Sequence, residues 1–155
     1  MIKSKIISLA GFSVIGKEGS TALGPGFVEK LWGEAENHLP EIANAVVYDG
    51  LLPIYWGLMS DFSRSLKPWE NDFKDGLYLA GFQLLDENLI PPDGWVKWNV
   101  PSQKYYVREI GDEYEDSFRS GLEELRALGY VLAGAVFDQA EKGISFLYFP
   151  VDVLS

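Results

Sequence analysis

Apolar positions recur along this chain with two different periods, and the switches between them mark out its elements. From Lys5 to Ile15 they alternate loosely, with Phe12 among them, which predicts a first strand. Gly16 to Gly26 is a glycine-rich connection holding Ser20-Thr21 and Gly24-Pro25-Gly26; it lacks the Lys-Ser/Thr ending of a phosphate loop and reads as a turn into a helix. From Phe27 to Leu39 the spacing becomes helical. Phe27, Leu31 and Ala35 stand four apart, with Val28, Trp32 and Leu39 beside them, and Pro40 ends the run. Leu51 to Phe62 and Leu77 to Leu85 read as the second and third strands, and the polar stretch Ser63 to Asp75 between them as a loop. Asp86 to Val100 carries the turn signal Pro91-Pro92-Asp93-Gly94, followed by Trp95 and Trp98. Lys104 to Ile110 predicts a fourth strand. Gly111 then leads into a helix from about Glu115 to Leu128, with Phe118, Leu122 and Leu125 on one face and acidic residues in its first turn.

The stretch from Ala127 to Val151 is the most informative. It predicts a helix end at Gly129, a strand, a turn at Ala140 to Gly143 and a final strand. Asp138 sits near the end of the first of these strands, between Phe137 and Gln139. An unpaired charge is costly to bury, so a carboxylate in so apolar a strand pair needs a reason. Two readings stay open, an anchor in a cleft and a cap at the strand end. Glu109, in phase with Tyr105 and Val107, is the next acid of interest, and the sequence does not choose between cleft and solvent for it. Asp61 reads as a loop-side residue, and His38 as a structural or solvent residue at a helix C-terminus.

The order strand, helix, strand, strand occurs twice. This predicts one α+β domain over residues 1–155, built of duplicated strand-helix-strand-strand units with an antiparallel sheet around a central ligand cleft. The halves would span about 1–85 and 100–155. Trp56–Asp61 aligns with Ala133–Asp138, which predicts that Gly57 superposes on Gly134 and Asp61 lies near Asp138.

Composition narrows the chemistry. Hydrophobic residues make up 47% and aromatics 14%, so the chain has the means to build a core. Cysteine is absent and histidine occurs once, which removes disulfides, thiolate sites and a multi-histidine metal centre. No cofactor or metal is expected. The 13 Lys and Arg against 23 Asp and Glu give a net charge of −10, which disfavours contact with phosphate backbones. No apolar run is long enough to span a bilayer, and the broken alternation after Met1 reads as a strand rather than a leader, so a cytoplasmic protein is expected.

The chain resembles the gyrase-inhibitor-like (GyrI-like) effector-binding domain family. The resemblance is carried by Leu31-Trp32, Tyr78-Leu79-Ala80-Gly81-Phe82, the Pro91–Gly94 turn, Val100-Pro101-Ser102-Gln103-Lys104-Tyr105-Tyr106-Val107, Gly111, Leu128-Gly129-Tyr130 with Ala133-Gly134, and Leu147-Tyr148-Phe149-Pro150-Val151. It implies two copies of the strand-helix-strand-strand unit about a ligand cleft. In drug-sensing relatives an acid in the penultimate strand meets cationic aromatic ligands, typically from a Phe-Glu pair followed by Tyr. Here Phe137-Asp138-Gln139-Ala140 keeps the charge, shortens its reach and drops the tyrosine. No helix-turn-helix precedes the domain, so a stand-alone effector-binding or drug-sequestering domain is expected.

Asp138 and Glu109 are then the expected acids of the cleft, with Trp56, Tyr78, Trp95, Trp98 and Tyr105 as its aromatic walls. The expected partner is a small apolar or cationic aromatic ligand, with no direct contact to nucleic acid or membrane. Two alternatives accompany this reading. One is a hydrolase of strained electrophilic toxic natural products, for which no nucleophile–base pair is legible. The other is an acidic protein-interaction module of the gyrase-inhibitor type, facing a basic protein surface.

Overall fold

A computed structural model describes residues 3–153. Along the chain come β1 (Ser4–Leu9), β2 (Phe12–Ser20), α1 (Phe27–Asn37), β3 (Tyr48–Asp49), β4 (Leu52–Pro53), β5 (Tyr55–Ser60) and a single helical turn, α2 (Glu70–Phe73). They are followed by β6 (Leu77–Gln83), β7 (Val96–Val100), β8 (Gln103–Glu109), α3 (Tyr114–Ala127), β9 (Tyr130–Leu132), β10 (Phe137–Glu141) and β11 (Ile144–Val153). The fold is α+β. One antiparallel sheet runs in the order β1-β8-β11-β10-β5-β6-β2-β7, with β9 added to the far end of β11, and β3 and β4 form a separate small ribbon.

The connections force this sheet to curl. Only Ala10 and Gly11 separate β1 from β2, yet the two stand six strand positions apart in the sheet. In a flat sheet that separation is about 29 Å, whereas the link from Leu9 to Phe12 reaches about 10 Å. The edges are therefore drawn together, and the Gly11 amide donates to Ser102 Oγ at 2.9 Å to tie the β1–β2 link to the β7–β8 link. The inside of the curl is filled by a core that includes Val14, Trp56, Leu58, Trp98, Tyr105, Phe137 and Tyr148.

Both long helices lie on the other face. The stripe Phe27, Leu31 and Ala35 of α1 is buried against β2 and β6. Helix α3 packs on β8, β9 and β11 through Gly121 and Leu125. Between these two strand sets lie β5 and β10, paired with each other. A seam is thus left between the helices, and that seam positions the site.

Several expected boundaries move. The first strand is two strands with different partners, and β2 continues through the glycine-rich stretch to Ser20. Gly16 faces Gly81 there, where a Cβ on either would meet the opposite backbone at 2.2–2.3 Å. Gly16 thus serves close strand approach, while Gly24 and Gly26, both at positive φ, make the turn into α1. The Trp95–Val100 stretch contains a strand, β7, whose Trp98 and Val100 are buried in the core. The strand after Gly129 is broken at Ala133–Val136. Ala133 N–H donates to Pro150 O, but Pro150 has no N–H to return, so the ladder to β11 stops and Ala135 N–H bonds to Leu66 O instead. The last hairpin turns at Lys142–Gly143, both left-handed, rather than over Ala140 to Gly143. The alignment of Trp56–Asp61 with Ala133–Asp138 falls on different elements. Gly57 is inside β5 while Gly134 lies between strands, and Asp61 follows β5 while Asp138 is inside β10. Asp61 is a loop organiser as read. It accepts from the hydroxyls of Ser60 and Ser63 and the amides of Ser65 and Lys67, and although burial pushes its pKa up, these bonds hold it at about 2.

Gly121 offers a test of the α3 packing. A Cβ there would lie 2.3 Å from the ring of Phe149, which is fully buried and has nowhere to move. Alanine gains about 1 kcal/mol of helix propensity, but overpacking costs about 1–3 kcal/mol. Gly121→Ala is expected to lower the urea midpoint, and Gly121→Val to lower it further; a gain for alanine would show that the ring yields.

Candidate functional site

The site begins with what is missing at Gly57. Asp138 of β10 and Gly57 of β5 are register partners, and Gly57 carries no side chain into the space above them. Tyr78 of β6 fills that space. A Cβ on Gly57 would lie 1.9 Å from the Tyr78 hydroxyl and 3.2 Å from Asp138 Oδ2. The Tyr78 hydroxyl donates to Asp138 Oδ2 at 3.0 Å and accepts from the Trp32 indole of α1 at 3.1 Å. From the other side Tyr114, the first residue of α3, donates its hydroxyl to Asp138 Oδ1 at 2.8 Å. One carboxylate is thus held by two phenols, one from the sheet and one from a helix.

Electrostatics follow from these neighbours. Burial pushes the Asp138 carboxyl up to about 6, although the bonds from Tyr114 and Tyr78 favour its charged form. Burial and the adjacent Asp138 charge raise both phenols, Tyr78 well above its ordinary value and Tyr114 as well, so both remain donors at neutral pH. A cavity of about 380 Å³ opens here, bordered by Trp32, Tyr55, Tyr78, Tyr114, Glu36 and Asp138 among others. Its volume is in the range of small-molecule pockets, about 300–1,000 Å³. Trp32 and Tyr55 stand with ring centroids 5.8 Å apart. Among the described residues no lysine or arginine borders this cavity, so its acids have no counter-charge from them. A second cavity of about 620 Å³ lies beyond Tyr114, between α3 and the loop carrying Trp69 and Phe73.

The residues singled out from sequence divide sharply. Asp138 and Tyr78 meet in the site. Asp138 is in the body of β10 and accepts only from the two phenols, so the strand-end cap reading does not hold. Trp56, Trp98 and Tyr105 are instead in the core inside the curl, at most 5% exposed, and border neither cavity. Trp95 is buried in a separate cluster with Ala35 and Ile42, its indole bonded to Glu41. Glu109 shares the strand parity of Tyr105 and Val107, whose side chains enter that core, and it borders neither cavity. The cleft face of β8 is the Tyr106–Arg108 parity, which packs toward α3 through the bonds of both residues to Glu124.

Trp32, Tyr55 and Tyr114 were not read as site residues. A signal for Tyr114 existed, since Tyr114, Phe118, Leu122 and Leu125 form one stripe at helical spacing, continued one turn toward the N-terminus. Among the described residues no cluster of His, Cys, Asp and Glu is arranged to hold a metal, and no helix is long and apolar enough to cross a membrane.

No family model matches the chain, and no curated protein matches it. Solved structures do share its fold. An integron cassette protein from Vibrio cholerae is 19% identical, with 96% of this chain and 95% of that one covered at a TM-score of 0.65. The C-terminal domain of EcmrR is 11% identical over 99% of both chains, TM-score 0.60. SAV2435, solved bound to tetraphenylphosphonium, is 15% identical over 97% of this chain and 94% of its own, TM-score 0.59.

The raised Asp138 has a consequence for stability. With a folded value of about 6 against an ordinary 3.8, the folded chain keeps a proton that the unfolded chain has released. Stability from this group is present below about pH 4 and is lost as pH rises through about 6, a change of about 2–3 kcal/mol. Asp61 acts in the opposite sense and in a lower window, below about pH 4. Asp138→Asn is therefore expected to gain on the wild type between pH 4 and 6.5 in urea unfolding, then to hold a constant lead. A difference independent of pH would show that Asp138 is not desolvated.

Proposed function

We propose that this chain is a small-molecule-binding domain that takes apolar or cationic aromatic ligands in the cleft between α1 and α3, and serves as an effector-binding or drug-sequestering domain. The two halves on either side of the β5–β10 seam form the walls, as the resemblance implies. One observation carries the reading: Asp138 is desolvated, bonded only to phenols and faced by no basic side chain in its cavity. An acid so placed is costly until a positive charge joins it. The rings of Trp32, Tyr55, Tyr78 and Tyr114 supply π faces and apolar surface for a cation that is itself poorly hydrated. The fold neighbour solved with tetraphenylphosphonium supports this ligand class.

The same geometry favours a second reading. A carboxylate held at about 6 beside two phenolic donors suits general acid–base work, as a hydrolase of strained electrophiles requires. Turnover of such a compound, lost in Asp138→Asn, separates the two readings.

The binding reading is tested with an isosteric pair, phenyltrimethylammonium and neutral tert-butylbenzene, by calorimetry. Asp138→Asn is expected to weaken the cation by about 1–3 kcal/mol through loss of charge attraction, and the hydrocarbon by far less. Wild-type affinity for the cation should rise as pH increases through about 6, since only the ionised acid attracts it. Equal losses for both compounds, or no pH dependence, would remove Asp138 from the site.

A further inference from the structure

Among the described residues Tyr114 alone borders both cavities, about 380 Å³ on the Asp138 side and about 620 Å³ on the other. It is lightly held. It opens α3, the preceding Glu113 makes no side-chain cap bond, and Tyr114 itself is 38% exposed. Its hydroxyl is fixed by the single bond to Asp138 Oδ1. First-turn helical N–H groups lack intrahelical partners, so a rotation of this ring gives up the Asp138 bond without opening the body of the helix.

The two spaces differ in character. The smaller holds the uncompensated acid. The larger is walled by Met59, Trp69, Phe118 and Leu122, with Phe73 set edge-on to Phe118, ring centroids 5.3 Å apart. Its charged neighbours balance in sign, Asp72 and Glu115 against Lys74 and Arg119, so it has no net attraction for a cation. Each space alone is of ligand size, and together they reach the top of the range for small-molecule sites.

We infer that the two cavities are arms of one site parted by the Tyr114 ring, and that the ligand is an amphiphilic cation whose head rests on Asp138 while an elongated apolar tail displaces Tyr114 and lies in the arm lined by Trp69, Phe118 and Leu122. The head placement rests on the function proposed above; the tail arm and the Tyr114 partition are additional to it.

The test is a calorimetric series of alkyltrimethylammonium ions, from tetramethylammonium through hexyl to decyl, below their micelle-forming concentrations. In the wild type, affinity is expected to climb roughly twofold to fourfold per added methylene once the tail passes Tyr114. In Leu122→Asn, which puts an amide into the tail arm, the ratio of decyl to tetramethyl affinity should fall at least tenfold. A thermal melt confirms that this variant is folded, and Met59→Asn provides a second alteration of the same arm. A flat series with Asp138-dependent binding of the short ions would overturn the tail arm and leave the binding reading standing. A climbing series that neither variant flattens would place the tail elsewhere and overturn the proposal. Absence of Asp138-dependent binding for every member would overturn both.

Discussion

The absence of a side chain at Gly57 is the constraint on which the site depends. A Cβ there would occupy the place of the Tyr78 hydroxyl, and without that hydroxyl Asp138 Oδ2 has no donor. Tyr78 in turn is anchored to α1 through Trp32, and Asp138 to α3 through Tyr114. A chain of three hydrogen bonds therefore links the two helices across the β5–β10 seam. Any larger residue at position 57 would separate the acid from Tyr78 and, through it, from α1.

The energetics explain why this seam stays open instead of collapsing. Most of the apolar surface is committed to the two sides of the curled sheet, with Trp56, Trp98 and Tyr105 filling the inside and the α1 and α3 stripes covering the outside. What remains at the seam is Asp138 with its two phenol donors, beside the rings of Trp32 and Tyr55. Two phenol bonds, each worth about 1.5–3 kcal/mol to a charged acceptor, offset only part of the desolvation of this half-buried acid. The residual cost appears as a carboxyl raised to about 6. A site with such a deficit is suited to a ligand that brings the opposite charge and little hydration of its own.

Much of this architecture was legible in the chain. The α1 and α3 stripes, the β6 and β8 strands and the prominence of Asp138 follow from apolar spacing and from a charge set in an apolar strand. Other features depend on contacts distant in sequence. The break between β9 and β10 arises because Pro150, seventeen positions beyond Ala133, lacks an N–H. Four of the five expected wall residues, Trp56, Trp95, Trp98 and Tyr105, lie elsewhere for a related reason: period-two alternation shows that Trp56 and Gly57 face opposite sides, but not which side is the cleft. The curl of the sheet decides that, and it results from pairing β1 with β8 and β2 with β6 and β7. Once the parity is known, the cleft residues follow, Gly57 from β5, Tyr78 from β6 and Asp138 from β10.

On the proposed function, Asp138 is a desolvated acid whose charge a cationic ligand neutralises. Carbon-detected NMR of the Asp138 carboxyl, titrated with and without a saturating quaternary aromatic cation, addresses it directly. The account predicts a midpoint near 6 for the free protein and a clear drop when the cation is bound, because the ligand's charge favours the ionised form. A midpoint at the ordinary carboxylate value, or one that the cation leaves in place, would contradict it.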